Sequence, residues 1–222
     1  MKKVLSVFLT VLFIVSIFAA TGTVRISAKK ISGKKDLVYL TGDVYIEKEG
    51  DVSLTTEAAT MTAKNGNWNH IETSGLTHVS FSSGDATSMN MVYDLDTSSG
   101  TLLHRVTAVF NSDTGERKIM IKNAEKLDFD LNRKEYKGES LPKNDKNFKP
   151  LEIQYKDELT ANSLYFEYSE STGIILLEGE VYVDDVKNRR KIHATKLYYN
   201  TNDDSFEGEN VSLEMTFEED GK

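Results

Sequence analysis

The residues from 161 to 183, ANSLYFEYSESTGIILLEGEVYV, constrain this chain more than any other stretch. They read as one β-hairpin. Leu164, Phe166 and Tyr168 alternate along one arm, and Ile175, Leu177, Val181 and Val183 along the other. Alternation at this period turns one face of a strand to a core and the other to water. Between the arms, SESTG at residues 169–173 is polar and ends in glycine, as a hairpin loop does. Gly179 falls on the inward parity of the second arm, where a glycine marks a bulge, a sharp coil or a close approach.

The hairpin is repeated. Its first arm, Ala-x-x-apolar-x-aromatic, returns as AEKLDF at 124–129 and ATKLYY at 194–199, and more loosely as ATSMNMVY at 86–93. ATMT at 59–62 and AKKI at 28–31 are fragments of it. The second arm, LEGEVYV at 177–183, returns as LTGDVYI at 40–46, with weaker copies SGLTHV at 74–79, YKGESL at 136–141 and FEGENV at 206–211. The alanines step by 31, 27, 38, 37 and 33 residues. A period in that range means one supersecondary unit, too small to bury its own face, stacked many times.

The remaining strands keep the same rhythm. Candidates are 38–47, 52–64, 70–82, 87–95, 101–111, 118–131, 135–138, 151–155, 190–200 and 211–217. Turn signals punctuate them, Asn65-Gly66 and Ser83-Gly84 among the tightest. Both prolines, Pro142 and Pro150, lie in SLPKNDKNFKP at 140–150, a loop between repeats, since proline cannot donate to a sheet ladder. The last strand alternates Val211, Leu213, Met215 and Phe217 with polar residues and leads into an acidic tail.

The chain starts MKK and continues with an uncharged apolar run over residues 4–20. Residues 1–22 therefore read as a secretory signal peptide, or as an anchor kept in the membrane, and residues 23–222 as one exported domain. That domain has no cysteine, so neither disulfides nor thiolate metal sites support it, and a continuous apolar interior must. The net charge of −8 argues against nucleic acid as a partner. The expected fold is all-β: antiparallel hairpins closing their shared apolar face by folding over as a jellyroll or sandwich.

LTGDVYI at 40–46 and the run from 161 to 183 resemble the repeats of the LptA/OstA family of periplasmic lipopolysaccharide-transport proteins, in which an L-T-G-N-x-x-[LIV] arm likewise comes after an A-x-x-[LM]-x-[YF] arm. The resemblance covers nearly all of the chain after residue 22. It implies a V-shaped β-jellyroll and a non-enzymatic role, carrying glycolipid acyl chains through the periplasm in an apolar groove. The related LptC branch keeps its N-terminal helix as an anchor. Which branch this chain belongs to stays open.

An acyl groove needs inward apolar residues over several strands. Leu40, Val44, Ile46, Val79, Phe81, Leu127, Phe129, Leu164, Phe166, Leu177, Val181, Val183, Leu197, Tyr199, Val211 and Leu213 are the candidate lining; taken one by one they are better explained as an ordinary filled core, since every half-buried sheet has inward alternating apolar residues. The basic cluster at 187–191 makes Arg189, Arg190 and Lys191 candidates for lipid phosphates, or else a solvated loop. Open strand edges at both ends of the stack could pair with another protein of the same fold or with a second copy. His70, His78, His104 and His193 share no element at ligand spacing, so no metal or cofactor is expected. Beside the glycolipid bridge stand two alternatives: an envelope scaffold with a dry core, and a polysaccharide-acting β-solenoid enzyme.

Overall fold

The computed structural model describes residues 17–19, 22–64, 66–111 and 117–216. Among these, every regular element is a strand. In chain order they are β1 (Ile17–Ala19), β2 (Gly22–Ser27), β3 (Lys30–Lys34), β4 (Leu37–Lys48), β5 (Val52–Lys64), β6 (Asn67–Ser74) and β7 (Thr77–Phe81). Next come β8 (Gly84–Ser88), β9 (Asn90–Asp94), β10 (Ser99–Asn111), β11 (Arg117–Asp130), β12 (Glu135–Glu139) and β13 (Leu151–Tyr155). The last six are β14 (Leu159–Ser163), β15 (Tyr165–Ser169), β16 (Ile174–Asp185), β17 (Arg190–Asn200), β18 (Phe206–Glu209) and β19 (Ser212–Met215). All pairings are antiparallel and join one sheet.

The sheet is folded over into two leaves. The long strands β4, β5, β10, β11, β16 and β17 run through both, and the short strands belong to one or the other. In the first leaf β3 pairs with residues 37–41 of β4, β6 with β9, β12 with β15, and β18 with residues 196–199 of β17. In the second leaf β2 pairs with residues 45–48 of β4, β7 with β8, β13 with β14, and β19 with residues 190–193 of β17. Every passage from one leaf to the other lies along a single seam. The hairpin turns of both leaves lie along the opposite side.

The seam has a simple physical cause. In β4 the ladder skips from Thr41 to Val44, in β10 from Leu103 to Val106, and in β16 from Glu178 to Val181. The two skipped residues are left-handed in each case: Gly42 and Asp43 at φ 76° and 48°, His104 and Arg105 at 63° and 55°, Gly179 and Glu180 at 77° and 50°. A bulge of this kind bends the strand sharply and re-aims the residues beyond it. The neighbouring short strands simply break at the same level, at Gly75, Met89 and Leu164. Two residues of the bent strand oppose one of its partner, so the bent strand keeps its inward parity while the partner changes: Leu40 and Val44 are both buried, and so are Leu177 and Val181, whereas the buried positions step from Thr56 to Ala59 in β5 and from Ala194 to Leu197 in β17.

The seam corrects the reading of residues 161–183 as one hairpin. The first arm changes leaf at Leu164, whose N–H donates to the carbonyls of Glu178 and Gly179 at 3.0 and 3.1 Å. The hairpin itself is β15 with residues 174–178 of β16. Gly179 does not face the core. It sits in the bend, and a Cβ there would lie 2.8 Å from Leu164 Cδ1. The strands expected at 70–82 and 87–95 are likewise each divided, into β6 and β7 and into β8 and β9. The segment 140–150 carries no strand. The expected signal or anchor at 1–22 lies mostly outside the described residues; within it, β1 pairs with β2.

Inward side chains of both leaves form one apolar cluster running from Val24 to Tyr199. Each fully buried large residue contributes about 1.5–3 kcal/mol relative to exposure. Gly179→Ala should therefore cost about 1–2 kcal/mol, because a side chain in the left-handed region is strained and meets Leu164. A lowered urea midpoint with unchanged slope would be the expected result.

Candidate functional site: the space between the leaves and its lip

The candidate lining residues were chosen by alternation, and the structure places most of them between the leaves. All but Leu164, Val211 and Leu213 are at most 7% exposed, and the facing side chains touch one another. Leu164 lies at the seam, over Gly179. Val211 and Leu213 stand at the last strand with Met215, at 40%, 43% and 52% exposure, so the inner face runs out into solvent there. Phe217 lies outside the described residues.

Along the seam the backbone holds the leaves together. At the opposite lip, among the described residues, side chains do so in a series of clasps. In the first, Tyr93 donates its hydroxyl to Asp51 Oδ1 at 2.8 Å, while Lys48 Nζ pairs with Asp51 at 2.8 Å and donates to the Leu95 carbonyl at 2.5 Å. Burial, and then the Asp51 carboxylate, push the Tyr93 hydroxyl well above its ordinary value, so it stays a donor. Beside it Phe81 of the second leaf meets Phe129 and Tyr93 of the first, with ring centroids 5.0 and 6.0 Å apart.

Further along, Phe110 of the second leaf stacks on Tyr136 of the first at 3.9 Å. Tyr155 meets Tyr168 at 6.2 Å, and Lys118 reaches across to Glu170 at 2.9 Å. Burial draws the Lys118 ammonium down, but its bond to Glu170 and the Tyr168 hydroxyl raise it further.

The last clasp is the most polar. Asp185, 1% exposed, accepts from Arg190 Nε at 2.7 Å, from Tyr199 at 3.2 Å and from the Asn188 backbone at 3.1 Å. Arg190 also donates to the Asp204 carbonyl and lies over the Phe206 ring at 4.8 Å, and Lys187 pairs with Asp204 at 2.9 Å. Of the headgroup candidates, Arg190 is thus engaged within the lip. Arg189 and Lys191 are exposed beside the β16–β17 turn.

Sequence reasoning grouped the repeat aromatics Phe129 and Tyr199 with the groove lining. It left out Tyr93, Tyr136 and Tyr155, and it missed their common role as the lip. A usable signal was present: in each repeat the aromatic comes last, next to the turn. The four histidines stay on separate strands, His70 beside Glu72 at 3.0 Å and His104 beside Glu125. Among the described residues no three His, Cys, Asp or Glu side chains gather as metal ligands.

Two outcomes are expected. Arg190→Ala leaves the Asp185 carboxylate buried without its cation and should cost about 3–5 kcal/mol in urea unfolding, whereas Lys191→Ala should change stability by about 0.5 kcal/mol or less. Lys187, by its hydrogen bond and charge, holds the Asp204 carboxyl below the usual range. That stability is fully present above about pH 4 and is lost as pH falls through the depressed value. The urea midpoint should drop below this pH, and less so in Asp204→Asn.

No protein-family model matches the sequence, and no curated protein matches it. Among solved structures, the chain is similar to LptH, described as the LptA homologous periplasmic component of the conserved lipopolysaccharide transport device from Pseudomonas aeruginosa. That alignment covers 87% of this chain and 94% of LptH, at 11% identity and a TM-score of 0.25.

Proposed function

We propose that the chain is a periplasmic bridge protein that shelters the acyl chains of a lipopolysaccharide-type glycolipid between its two leaves. The observation that carries this reading is the asymmetry of closure. The inner faces are apolar apart from Thr56, Thr73, Thr77, Ser88, Ser163 and Asp185, the seam is backbone, and among the described residues every contact across the lip involves a side chain. Ring pairs contribute about 0.5–1.5 kcal/mol each beyond the area they bury. Exposed ion pairs contribute about 0.2–1 kcal/mol. Parting the lip is therefore the low-energy way to admit a long apolar chain. Residues 1–22 would export the domain or keep it at the inner membrane. In this role the protein is a carrier, not an enzyme, and needs no cofactor.

The ends of the stack suit assembly. At one end the free edge β3 carries Lys30 and Lys34, with Lys35 next in the chain. At the other, β18 and β19 present Glu207, Glu209 and Glu214 around the exposed Val211, Leu213 and Met215. Opposite charges and unpaired edges fit a head-to-tail contact with a second copy, or with another protein of this fold, that would prolong the inner face.

An envelope scaffold is the second reading, and the near-zero exposure of Leu40, Ile46, Phe166 and Leu177 favours it. Photo-crosslinking groups at Phe166 and Leu177 in living cells separate the two. Glycolipid adducts at both positions are expected. Unmodified protein at both, with crosslinks only to proteins at the stack ends, would overturn the transport reading.

A further inference from the structure

The seam is uneven at one place. In the β4 bend the Lys29 side chain lies over Gly42, and in the β16 bend the Leu164 side chain lies over Gly179. The β10 bend has His104 and Arg105 instead of a leading glycine, both left-handed. Such conformations cost about 1–2 kcal/mol per residue. The segment facing this bend is the 140–150 loop, which spans the seam. Asn123 Nδ2 donates to the Pro150 carbonyl at 3.3 Å, the Ser140 N–H donates to the Leu164 carbonyl at 3.0 Å, and Lys143 pairs with Glu180. Turn bonds from Asp145 to Pro142 and from Phe148 to Asp145 give the loop its own shape.

Between loop and bend lies a cavity of about 750 Å³. Its volume is that of a small-molecule site. Leu141 and Phe148 supply half-buried apolar wall, and Arg105, Lys146 and Lys149 supply charge. Among the described residues these three cations have no hydrogen-bonding or ionic partner. The two carboxylates at the cavity are engaged otherwise: Glu125 with His104, and Asp145 with the Asn147 N–H at 2.7 Å. The cavity is half-open, and its lining sets three unpaired cations against two carboxylates in a chain of net charge −8.

We propose that this cavity is a receptor site for a phosphate group carried on an apolar or amphipathic body. Arg105 offers the planar fork that suits phosphate, Lys146 and Lys149 add point charge, and Phe148 and Leu141 receive the apolar part. Three cations match a phosphate monoester, with its charge near −2, better than a single carboxylate. The phosphate could belong to a lipid in a membrane or to a free soluble molecule. The site is on the outer side of the seam, and it does not depend on lipid passing between the leaves.

The test uses purified protein and four probes: inorganic phosphate, a soluble short-chain phosphatidic acid, hexanoate, and phosphatidylcholine vesicles with or without phosphatidic acid. Calorimetry should show saturable binding of the short-chain phosphatidic acid, weakened about tenfold or more in R105Q/K146Q/K149Q, a loss of about 1.4 kcal/mol. Phe148→Ala should weaken that probe but leave inorganic phosphate unchanged. The urea midpoint of the triple variant should match the parent, because all three residues are exposed. Flotation with phosphatidic-acid vesicles that the triple variant loses would assign the phosphate to a lipid headgroup. Binding of the soluble phosphate probes alone would assign it to a free ligand, and both results support the site. Absence of saturable binding by either phosphate probe, equal affinity in the triple variant, or equally tight hexanoate would overturn it. Crosslinks from Phe166 and Leu177 report on the space between the leaves and are independent of these outcomes.

Discussion

Two apolar faces joined by backbone along one side must be held shut on the other by something weaker. That constraint governs this protein. Water would enter along the free side unless side chains closed it, and the chain closes it with rings and a few well-placed charges. Phe81, Tyr93 and Phe129 form one group, Phe110, Tyr136, Tyr155 and Tyr168 another, and Asp185, Arg190 and Tyr199 a third. Tyrosine suits the position because its ring extends the apolar interior while its hydroxyl reaches a carboxylate at the water boundary. The same residues that finish the core therefore also form its door.

Much of the fold was legible in the sequence. Alternation marks the inward face, and the repeat spacing requires stacked hairpins, which together make an all-β sheet. That the sheet folds over was expected; where it divides into two leaves was hidden. A bulge of two residues against one keeps the inward parity of the strand that carries it, so Leu40 to Val44 and Leu177 to Val181 read as uninterrupted strand although the chain turns a corner between them. Gly42 and Gly179 were the visible trace, and Gly179 was assigned to the inward face for the same reason of parity. In β10 even that trace is missing, since His104 and Arg105 occupy the bend.

The site was legible in part. Periodicity selects inward residues but cannot distinguish the middle of the interior from its edge, so Phe129 and Tyr199 were grouped with Leu127 and Leu197. Charge clustering pointed to Arg190 as a headgroup ligand. A short-range pattern does not reveal that Asp185 and Asp204, brought up by two different turns, hold it. The cavity beneath residues 140–150 was invisible for a related reason: it is made by a loop and a bulge that are distant in sequence and have no repeat in common.

The central claim is that the lip opens to admit apolar chains while the seam stays closed. Because the chain has no cysteine of its own, Phe110→Cys with Tyr136→Cys places a unique pair across the lip, where a short thiol-reactive linker can bridge it. Uptake of a fluorescent acyl glycolipid, measured before and after bridging, tests the claim directly. The account predicts uptake by the unbridged protein, loss of it on bridging, and recovery when a cleavable linker is cut. Undiminished uptake with the lip locked would contradict it.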